Sequence, residues 1–375
     1  MVSRVSEVPA YLDNYQVDIE LIPILLKMSR RGITLRQEVL ESWNKKLGED
    51  ILQYEDICRG EGFDPSKPQQ VGYTLATRGN MLPFTRGYKQ LKTDKRTLQR
   101  LDDPLAQVVL NYRAASKLKG TYIEPCLGKK KFYTSYRLDL STSRLASYDR
   151  NVQNIPPKLR EMFAPDSGTW TWLDWSQIEM RIFAHLTQDP VMMEAYATGM
   201  DVHSITQEAL WPGTDPKDSN YRSRAKSFNF AMIYFASVYT LSQTFNLSMS
   251  ICAGYRSRWL RRFHVAHGWM ERQIEEGRRL GYRENIFGRR MLLPDVELRG
   301  QNHVDKCSVN YPVQGSAAGV VARGMLICDR LEYDFPIQVH DELVIDGDVD
   351  PPDSLAHIVP GLDLPFSVQK SLVWV

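Results

Sequence analysis

The feature that most constrains the fold is an apolar stretch near the carboxyl terminus that two acids interrupt: residues 337–346 read IQVHDELVID. Apolar side chains alternate with other residues in both halves, with Val339 before the acids and Leu343 after them. This alternation predicts two strands that meet near His340 and Asp341, in a hairpin whose tip carries acid. Aspartate is common in tight turns for structural reasons, so the hairpin alone does not define a site.

A second apolar strand that ends in an acid lies at residues 169–186, TWTWLDWSQIEMRIFAHL, where Asp174 precedes an amphipathic helix. Enzymes of phosphoryl transfer hold two divalent cations about 3.5–4 Å apart between carboxylates. Magnesium prefers few carboxylates and keeps several of its waters. If their strands are neighbours, Asp174 and Asp341 predict a site for two Mg²⁺ ions, with Mn²⁺ as a possible substitute. Paired aspartates alone do not distinguish synthesis from hydrolysis.

A third segment, residues 221–239, reads YRSRAKSFNFAMIYFASVY and carries two cations and then two aromatic rings at four-residue spacing. This spacing keeps the side chains along one stripe of a helix. A nucleotide suits such a stripe, because its triphosphate pairs with the cations while its base and sugar pack on the rings. A partly buried helix with snorkelling cations is the alternative. The four positions are Arg222, Lys226, Phe230 and Tyr234.

Composition excludes several classes of protein. The 375 residues suffice for two or three subdomains, and 47 Lys and Arg nearly balance 45 Asp and Glu. The five cysteines are scattered without a CxxC pair, which argues against a disulfide framework or a zinc site and favours a reducing, cytoplasmic location. The longest aliphatic run, LIPILL at 21–26, is too short to cross a bilayer, so no membrane association is expected.

Together these segments resemble the family A DNA polymerases, the DNA polymerase I type. The palm motif DYSQIELR of that family is similar to DWSQIEMR at 174–181, and its fingers motif R-x₃-K-x₃-F-x₃-Y matches the stripe from Arg222 to Tyr234. Its last palm motif, VHDE, is present at 339–342. The resemblance extends from about residue 18 to the carboxyl terminus. Further similar stretches are TSRLASYDRNVQNIP at 142–156, DVHS at 201–204, FGRR at 287–290 and NYPVQGSAA at 310–318.

The resemblance implies roles at the catalytic centre. Asp174 and Asp341 would be metal ligands together with the backbone carbonyl of Trp175, and Glu342 would support them. Lys226 would also protonate the departing pyrophosphate. The implied substrate-binding residues are Arg222, Lys226, Phe230, Tyr234, Glu179, Gln177 and His203, of which Glu179 and Tyr234 would close the space for a ribose 2′-hydroxyl and His203 would contact phosphate.

The resemblance also implies contacts with primer and template. Donors at these positions would test base pairing in the minor groove, where the acceptors are nearly the same for every pair. Lys306 stands where many relatives have arginine, which keeps the charge and loses a bidentate contact. The implied DNA-binding residues are Arg144, Asn151, Gln153, Asn154, Lys306, Asn310, Gln314 and His340.

Two residues depart from the family pattern at positions where it has glycine. Phe235 follows the fingers tyrosine, and Ser143 precedes Arg144. A side chain in place of a hydrogen changes how closely a neighbour can approach. We therefore expect Phe235 to affect fidelity or translocation and Ser143 to restrict a tight turn.

The implied fold class is α+β and multi-domain, a right-hand polymerase with an antiparallel palm sheet, helical fingers and a helical thumb. The thumb would span 1–131, the palm 132–190 and 300–375, and the fingers 191–299. The implied reaction is the two-metal addition of deoxynucleoside monophosphates from dNTPs to a primer 3′-hydroxyl on primer-template DNA, by a monomer. Only about 20 residues precede the first family-like helix, which the D-x-E triplet at 18–20 would open. We therefore expect a polymerase without its own proofreading exonuclease.

Three alternatives from other classes are open at this point. A single-subunit RNA polymerase would share the palm and a similar fingers helix, although Glu179 in a complete SQIE motif speaks against it. A metal-dependent nuclease would share the paired aspartates but would not need the cation-aromatic stripe. A DNA-binding module without activity would not need every acid and cation to be present. The source would be a bacterium or a phage-infected cell, and a viral origin is left open.

Overall fold

The computed structural model describes residues 10–85, 87, 89–215 and 217–374, and its mixture of helices and small antiparallel sheets confirms the α+β class. None of the described helices combines the length and the apolar character that a membrane span requires. The helices are α1 (Ala10–Arg31), α2 (Gln37–Gly60), α3 (Pro68–Thr77), α4 (Lys95–Leu98), α5 (Pro104–Leu118), α6 (Ile178–Thr187), α7 (Pro190–Thr198), α8 (Val202–Leu210), α9 (Ser219–Ile233), α10 (Val238–Phe245), α11 (Met249–Arg262), α12 (His264–Leu280), α13 (Val296–Arg299) and α14 (Gln301–Arg330).

The strands are short, and each of them pairs with its neighbours in antiparallel fashion. Single turns of 3-10 or π helix separate some of them. The strands are β1 (Ile33–Leu35), β2 (Lys131–Phe132), β3 (Ser135–Arg137), β4 (Ala146–Tyr148), β5 (Phe163–Ala164), β6 (Trp170–Trp175), β7 (Tyr282–Glu284), β8 (Arg290–Leu292), β9 (Ile337–Val339), β10 (Glu342–Asp346) and β11 (Phe366–Ser371).

The chain forms two compact units, and each is assembled from separate segments. The first unit contains 1–31, 134–154 and 167–371, and the second contains 32–133, 155–166 and 372–375. These units cut the chain differently from the predicted thumb, palm and fingers, which stay a prediction. In particular, α1 packs with α14 in the first unit, although the sequence assigned it to the thumb.

The largest sheet belongs to the first unit and has the strand order β11-β6-β10-β9. Strand β6 is central, and it places Asp174 opposite Glu342 on one side and opposite Ser367 on the other. Strands β9 and β10 form the predicted hairpin, with Asp341 in its turn. The prediction that the strand ending at Asp174 and the acidic hairpin are neighbours is therefore confirmed. Two further pairs, β3 with β4 and β7 with β8, complete the sheets of this unit.

Helix α14 supports this sheet through a close approach at a glycine. A Cβ atom at Gly324 would lie 2.6 Å from the ring of Trp175, whose side chain is fully buried. The indole N–H of Trp175 donates to the Leu355 carbonyl at 3.0 Å. The residue after Asp174 is thus fixed from both sides, which holds the end of β6 in place.

Helix α1 is tied to the rest of the first unit by ion pairs, and its position corrects one expectation. Asp18 accepts two hydrogen bonds from the guanidinium of Arg289, at 2.6 and 2.9 Å. Arg323 donates to Asp13 at 2.7 Å. The helix begins at Ala10, so the prediction that the triplet at 18–20 opens a helix is wrong, because these acids lie in its middle.

The second unit has its own sheet and core. Its strands are ordered β2-β1-β5, and helices α2 and α5 pack against each other. Trp374 returns to this core near the end of the chain: it is fully buried, lies 6.1 Å from the ring of Phe163 and is covered by the guanidinium of Arg160 at 4.2 Å. A residue near the carboxyl terminus therefore completes the core of this unit.

Candidate active site

Two acidic side chains meet where β6 and the hairpin turn lie side by side. Asp174 is exposed at the end of β6, and Asp341 is half-buried in the turn before β10. The backbone N–H of Trp175 donates to the Asp341 carbonyl at 3.2 Å, which extends the pairing of the two strands to this point. Glu342 is half-buried and faces Asp174 across the strands, but it does not line the cavity that the other two acids share.

The electrostatics of this pair favour a bound positive charge. Surrounding protein atoms and the carboxylate of Asp341 raise the pKa of Asp174 to about 6. Burial also raises the pKa of Asp341, although His340, Arg144 and Lys226 oppose that shift. Two neighbouring carboxylates whose pKa values are raised by burial are stabilised in their charged form by a cation.

The residues present fit a divalent metal site of the magnesium type. Within the described part of the chain no three His, Cys, Asp or Glu side chains cluster as a metal cage. Asp174 and Asp341 supply two hard oxygen ligands, and magnesium usually takes one or two carboxylates and keeps waters. The Trp175 indole is buried and bonded to Leu355, so only the backbone oxygen of Trp175 could contribute.

Helix α9 brings the predicted cation-aromatic stripe to the same cavity. Its first turn is capped by the Asp218 side chain, which accepts from the N–H of Asn220 at 2.8 Å. Lys226 is exposed, lines the cavity and has no hydrogen-bond or ion-pair partner among the residues that the structure describes. It lowers the pKa of both Asp174 and Asp341. This lysine is therefore free to meet an anionic ligand beside the acid pair.

Arg222, one turn earlier on α9, is already engaged. Its Nε donates to Asp201 at 2.8 Å, and its side chain is 46% exposed. Asp201 also caps α8 by accepting from the N–H groups of His203 and Ser204. Arg222 does not line the cavity, so a phosphate contact would require it to leave or share this carboxylate.

The aromatic end of the stripe leads into a buried polar cluster. Phe230 and Tyr234 both line the cavity, with ring centroids 6.4 Å apart. The Tyr234 hydroxyl donates to Glu179, and the guanidinium of Arg144 contacts the other oxygen of the same carboxylate. Glu179 is 6% exposed. The sequence predicted this acid and this tyrosine as one gate, and the structure joins them through a direct hydrogen bond.

The cluster is electrostatically balanced. Burial raises the pKa of Glu179, and the charge of Arg144 and the Tyr234 hydroxyl bond oppose that shift. Burial and the neighbouring Glu179 raise the pKa of Tyr234, so the phenol stays protonated and remains a donor. A neutral phenol, a carboxylate and a guanidinium in one network are held more rigidly than any of them alone.

His203 lies deeper than the phosphate contact implied for it. The residue is 1% exposed, its Nδ1 faces the Asn229 amide at 2.9 Å, and its Nε2 is buried without a partner among the described residues. Burial lowers the pKa of His203 to about 4, so the ring is neutral at physiological pH. A phosphate contact from His203 would therefore be a neutral hydrogen bond, and it stays a prediction.

The remaining predicted site residues are distributed around this centre. Gln177 lines the cavity at the start of α6 and accepts from the Tyr196 hydroxyl at 3.4 Å. Gln153 is occupied internally, since its amide donates to Gln338 at 3.0 Å and its oxygen accepts from the N–H of Ser147. Exposed positions are held by Asn151, Asn154, Lys306 and His340, whereas Gln314 is half-buried and Asn310 is buried.

The cavity has a volume of about 510 Å³ and includes residues that the sequence did not suggest. Arg289 and Arg323 line the wall formed by α1 and α14, where each is paired with an acid of α1. Arg289 belongs to the FGRR stretch, but the residue spacing in that stretch did not indicate a chemical role for it. Only the fold brings α1 beside the site, which is why sequence reasoning missed both arginines.

Four residues beside this cavity hold a left-handed backbone although none of them is glycine. Three of them line the cavity, and the fourth directly follows Tyr234, which lines it. Both departures from the family pattern are among them. The residues and their φ angles are Ser143 (58°), Gln177 (54°), Phe235 (50°) and His340 (55°). Such conformations are uncommon for L-residues and concentrate at sites that need a fixed geometry.

The fold is that of a polymerase domain. The structure is similar to the POL domain of Pol1 from M. smegmatis, solved in complex with DNA primer-template and dNTP, with a TM-score of 0.84 and 24% identity. That similarity covers 95% of this chain and 70% of the solved chain. The chain belongs to DNA polymerase family A, whose sequence pattern matches residues 35–361.

Curated relatives agree with this assignment. The chain is 30% identical over 381 residues to DNA polymerase I of Bacillus caldotenax, covering 93% of this chain and 43% of the relative. It is 32% identical over 366 residues to DNA polymerase I of Streptococcus pneumoniae serotype 4, covering 88% of this chain and 41% of the relative. It is also 32% identical to a thermostable DNA polymerase I of Thermus filiformis, covering 92% and 44%. The chain thus spans less than half the length of these relatives.

Proposed function

We propose that this chain is a DNA-directed DNA polymerase that adds deoxynucleoside monophosphates to a primer 3′-hydroxyl, releasing pyrophosphate, in replication or repair. The observation that carries the proposal is one cavity in which the pair Asp174 and Asp341 lies beside the ammonium of Lys226 and the rings of Phe230 and Tyr234. Relatives named DNA polymerase I and a neighbour solved with primer-template and dNTP support the same substrates.

The acid pair would hold the divalent cations of the reaction. Asp174 and Asp341 would be the ligands, with the backbone oxygen of Trp175. When bound, Mg²⁺ would supply Lewis-acid stabilisation of the charge that develops on the phosphate oxygens. Exposed Asp174 and half-buried Asp341 differ in environment, so the two carboxylates would not be equivalent.

Lys226 would act on the leaving group. The ammonium has no partner of its own within the described residues, and its charge acts on both acids of the pair. A cation in this position can bind the triphosphate and donate a proton to the departing pyrophosphate. Arg222 would join it only after sharing or leaving Asp201, so triphosphate binding would change that ion pair.

The buried cluster of Glu179, Tyr234 and Arg144 would select the sugar. A carboxylate that accepts from both neighbours is fixed in place and cannot move aside for an extra hydroxyl. We propose that this cluster excludes ribonucleotides by its bulk and by leaving a 2′-hydroxyl without a partner.

The deciding experiment is primer extension on a defined template with each dNTP and each NTP, with magnesium and with EDTA. The wild-type chain should extend with dNTPs only, and preferential use of NTPs would favour an RNA polymerase instead. Asp341→Asn should lower extension by about a hundredfold to a thousandfold, because a charge that stabilises the transition state is lost. Primer-template binding, measured by fluorescence anisotropy, should change little.

A matched control separates loss of charge at the site from loss of charge in general. Asp102→Asn removes a carboxylate that is exposed and lies outside the cavity, so extension should be unaffected. Substantial extension by Asp341→Asn would remove Asp341 from the catalytic centre. Degradation of the primer by wild type without any extension would favour the nuclease alternative.

A further inference from the structure

Phe235 is a bulky residue in a backbone conformation that disfavours it. It follows Tyr234 directly at the end of α9, and its φ angle is 50°. In the left-handed region the Cβ atom crowds the backbone, so glycine adopts this conformation easily and phenylalanine does not. The turn itself therefore does not need a phenyl ring, and the ring must be stabilised by something outside the turn.

Two kinds of contact hold Phe235 in place. Its N–H donates to the Met232 carbonyl at 2.8 Å, which closes the last turn of α9. The guanidinium of Arg256, from α11, lies over its ring at 5.5 Å from the centroid. Arg256 is half-buried, and its Nε is shielded from solvent without an acceptor among the described residues. The aromatic face of Phe235 is therefore a principal neighbour of this cation.

This contact is one residue away from the sugar-selecting cluster. The side-chain amide of Asn310 donates to the Tyr234 carbonyl at 3.5 Å, and the Tyr234 hydroxyl donates to Glu179. A change in the backbone of Phe235 would rotate the peptide that joins it to Tyr234. The Tyr234 ring would then move relative to Glu179, which is fixed on α6.

We infer that Phe235 is a positioning residue: its ring, held against Arg256, fixes the end of α9 so that Tyr234 stays on Glu179, and this sets the preference for deoxynucleotides. The inference rests on the proposed function. Phe235 is only half-buried, so a simple core-packing role does not account for its ring. Strain that the surroundings overcome is typical of residues that hold a site in one geometry.

The test compares Phe235→Gly with Arg256→Met. Glycine removes the ring and accepts the left-handed backbone, and methionine keeps much of the apolar stem of Arg256 without its charge. For both variants we expect the ratio of kcat/KM for dNTP over NTP to fall about tenfold, the equivalent of about 1.4 kcal/mol. The thermal stability of Phe235→Gly should not fall together with this ratio, because the substitution removes the backbone strain along with the ring.

Glu332→Gly is the matched control. Glu332 also has a left-handed backbone, with φ 59°, but it is exposed and lies outside the cavity. Its replacement relieves the same kind of strain and should leave the dNTP over NTP ratio unchanged. Phe235→Tyr keeps an aromatic face for Arg256 and should keep the wild-type dNTP over NTP ratio. This result would distinguish positioning by the ring from a general effect of mutation.

A second readout does not depend on turnover. In the Asp341→Asn background with primer-template bound, the ratio of Kd values for NTP over dNTP should fall when Phe235→Gly or Arg256→Met is added. Unchanged selectivity in a folded Phe235→Gly variant overturns the inference, and if that variant does not fold, unchanged selectivity in Arg256→Met does so. Failure of the wild-type chain to extend any primer would instead refute the proposed function itself.

Discussion

Removing the charge of Asp174 should stabilise the folded protein when divalent cations are absent. The pKa of Asp174 is raised from its ordinary 3.8 to about 6 in the folded protein, chiefly by burial and then by Asp341. Ionising this carboxylate therefore costs more in the folded than in the unfolded chain. A difference of about 2 pKa units corresponds to at most about 3 kcal/mol. Because Asp174 is exposed on one side, solvent screening reduces this to about 1 kcal/mol.

The sign of the effect fixes its pH dependence. Below pH 3.8 the carboxylate is protonated in both states and the penalty is absent, and above pH 6 the penalty is fully present. Asp174→Asn should therefore raise the free energy of unfolding at pH 7.5 in EDTA and lose this advantage as the pH falls from 6 towards 3.8. Saturating magnesium should stabilise wild type more than the variant, because only wild type keeps both ligands.

Urea unfolding followed by tryptophan fluorescence can measure these differences at pH 7.5 and pH 4.5, each with EDTA and with magnesium. Asp102→Asn serves as control, because it removes an exposed carboxylate away from the cavity and should show neither gain. If Asp174→Asn is destabilised at pH 7.5 in EDTA, or if its advantage is as large at pH 4.5, the electrostatic account of the acid pair is refuted.

Glu179→Ala should reduce discrimination against NTPs by about 10- to 100-fold in competitive primer extension, because the 2′-hydroxyl meets open space; unchanged discrimination would contradict the gate. Phe230→Tyr adds a hydroxyl to a cavity-lining ring and should raise dideoxynucleotide incorporation in a chain-termination assay, since the new donor replaces a lost contact with the sugar. Gly324→Ala should destabilise folding by about 1–3 kcal/mol in thermal unfolding, because its Cβ would lie 2.6 Å from Trp175. Gly254→Ala, which meets nothing within 4 Å in the middle of a helix, should instead stabilise by about 0.5–1 kcal/mol, and equal effects of the two would contradict the packing argument.

The strands that carry the acid pair could be predicted from sequence, because side chains alternate with period two and the acids interrupt apolar runs at their ends. The stripe of α9 could be predicted because four-residue spacing has one simple geometric meaning on a helix. Burial could not be predicted in the same way. The motif around His203 does not show that Asn229 covers its ring, and this decides whether the imidazole is neutral.

Long-range contacts were also beyond the reach of sequence patterns. The helix that contains Asp18 has no local signal that it packs near the site, yet its acid holds Arg289 at the cavity wall. The left-handed backbone at Phe235 was equally hidden, because phenylalanine is among the residues least expected there. Only the departure from a glycine pattern pointed to this position.

The pairing of Asp174 with Glu342 has a consequence for how the protein is made. These partners are 168 positions apart in the sequence. A ribosome adding about 5–20 residues per second needs roughly 10 to 30 s to travel between them. During that interval β6 has been synthesised while β10 and β11, the strands that pair with its two edges, have not, so its edges and tryptophans are open to aggregation until the rest of the sheet is made.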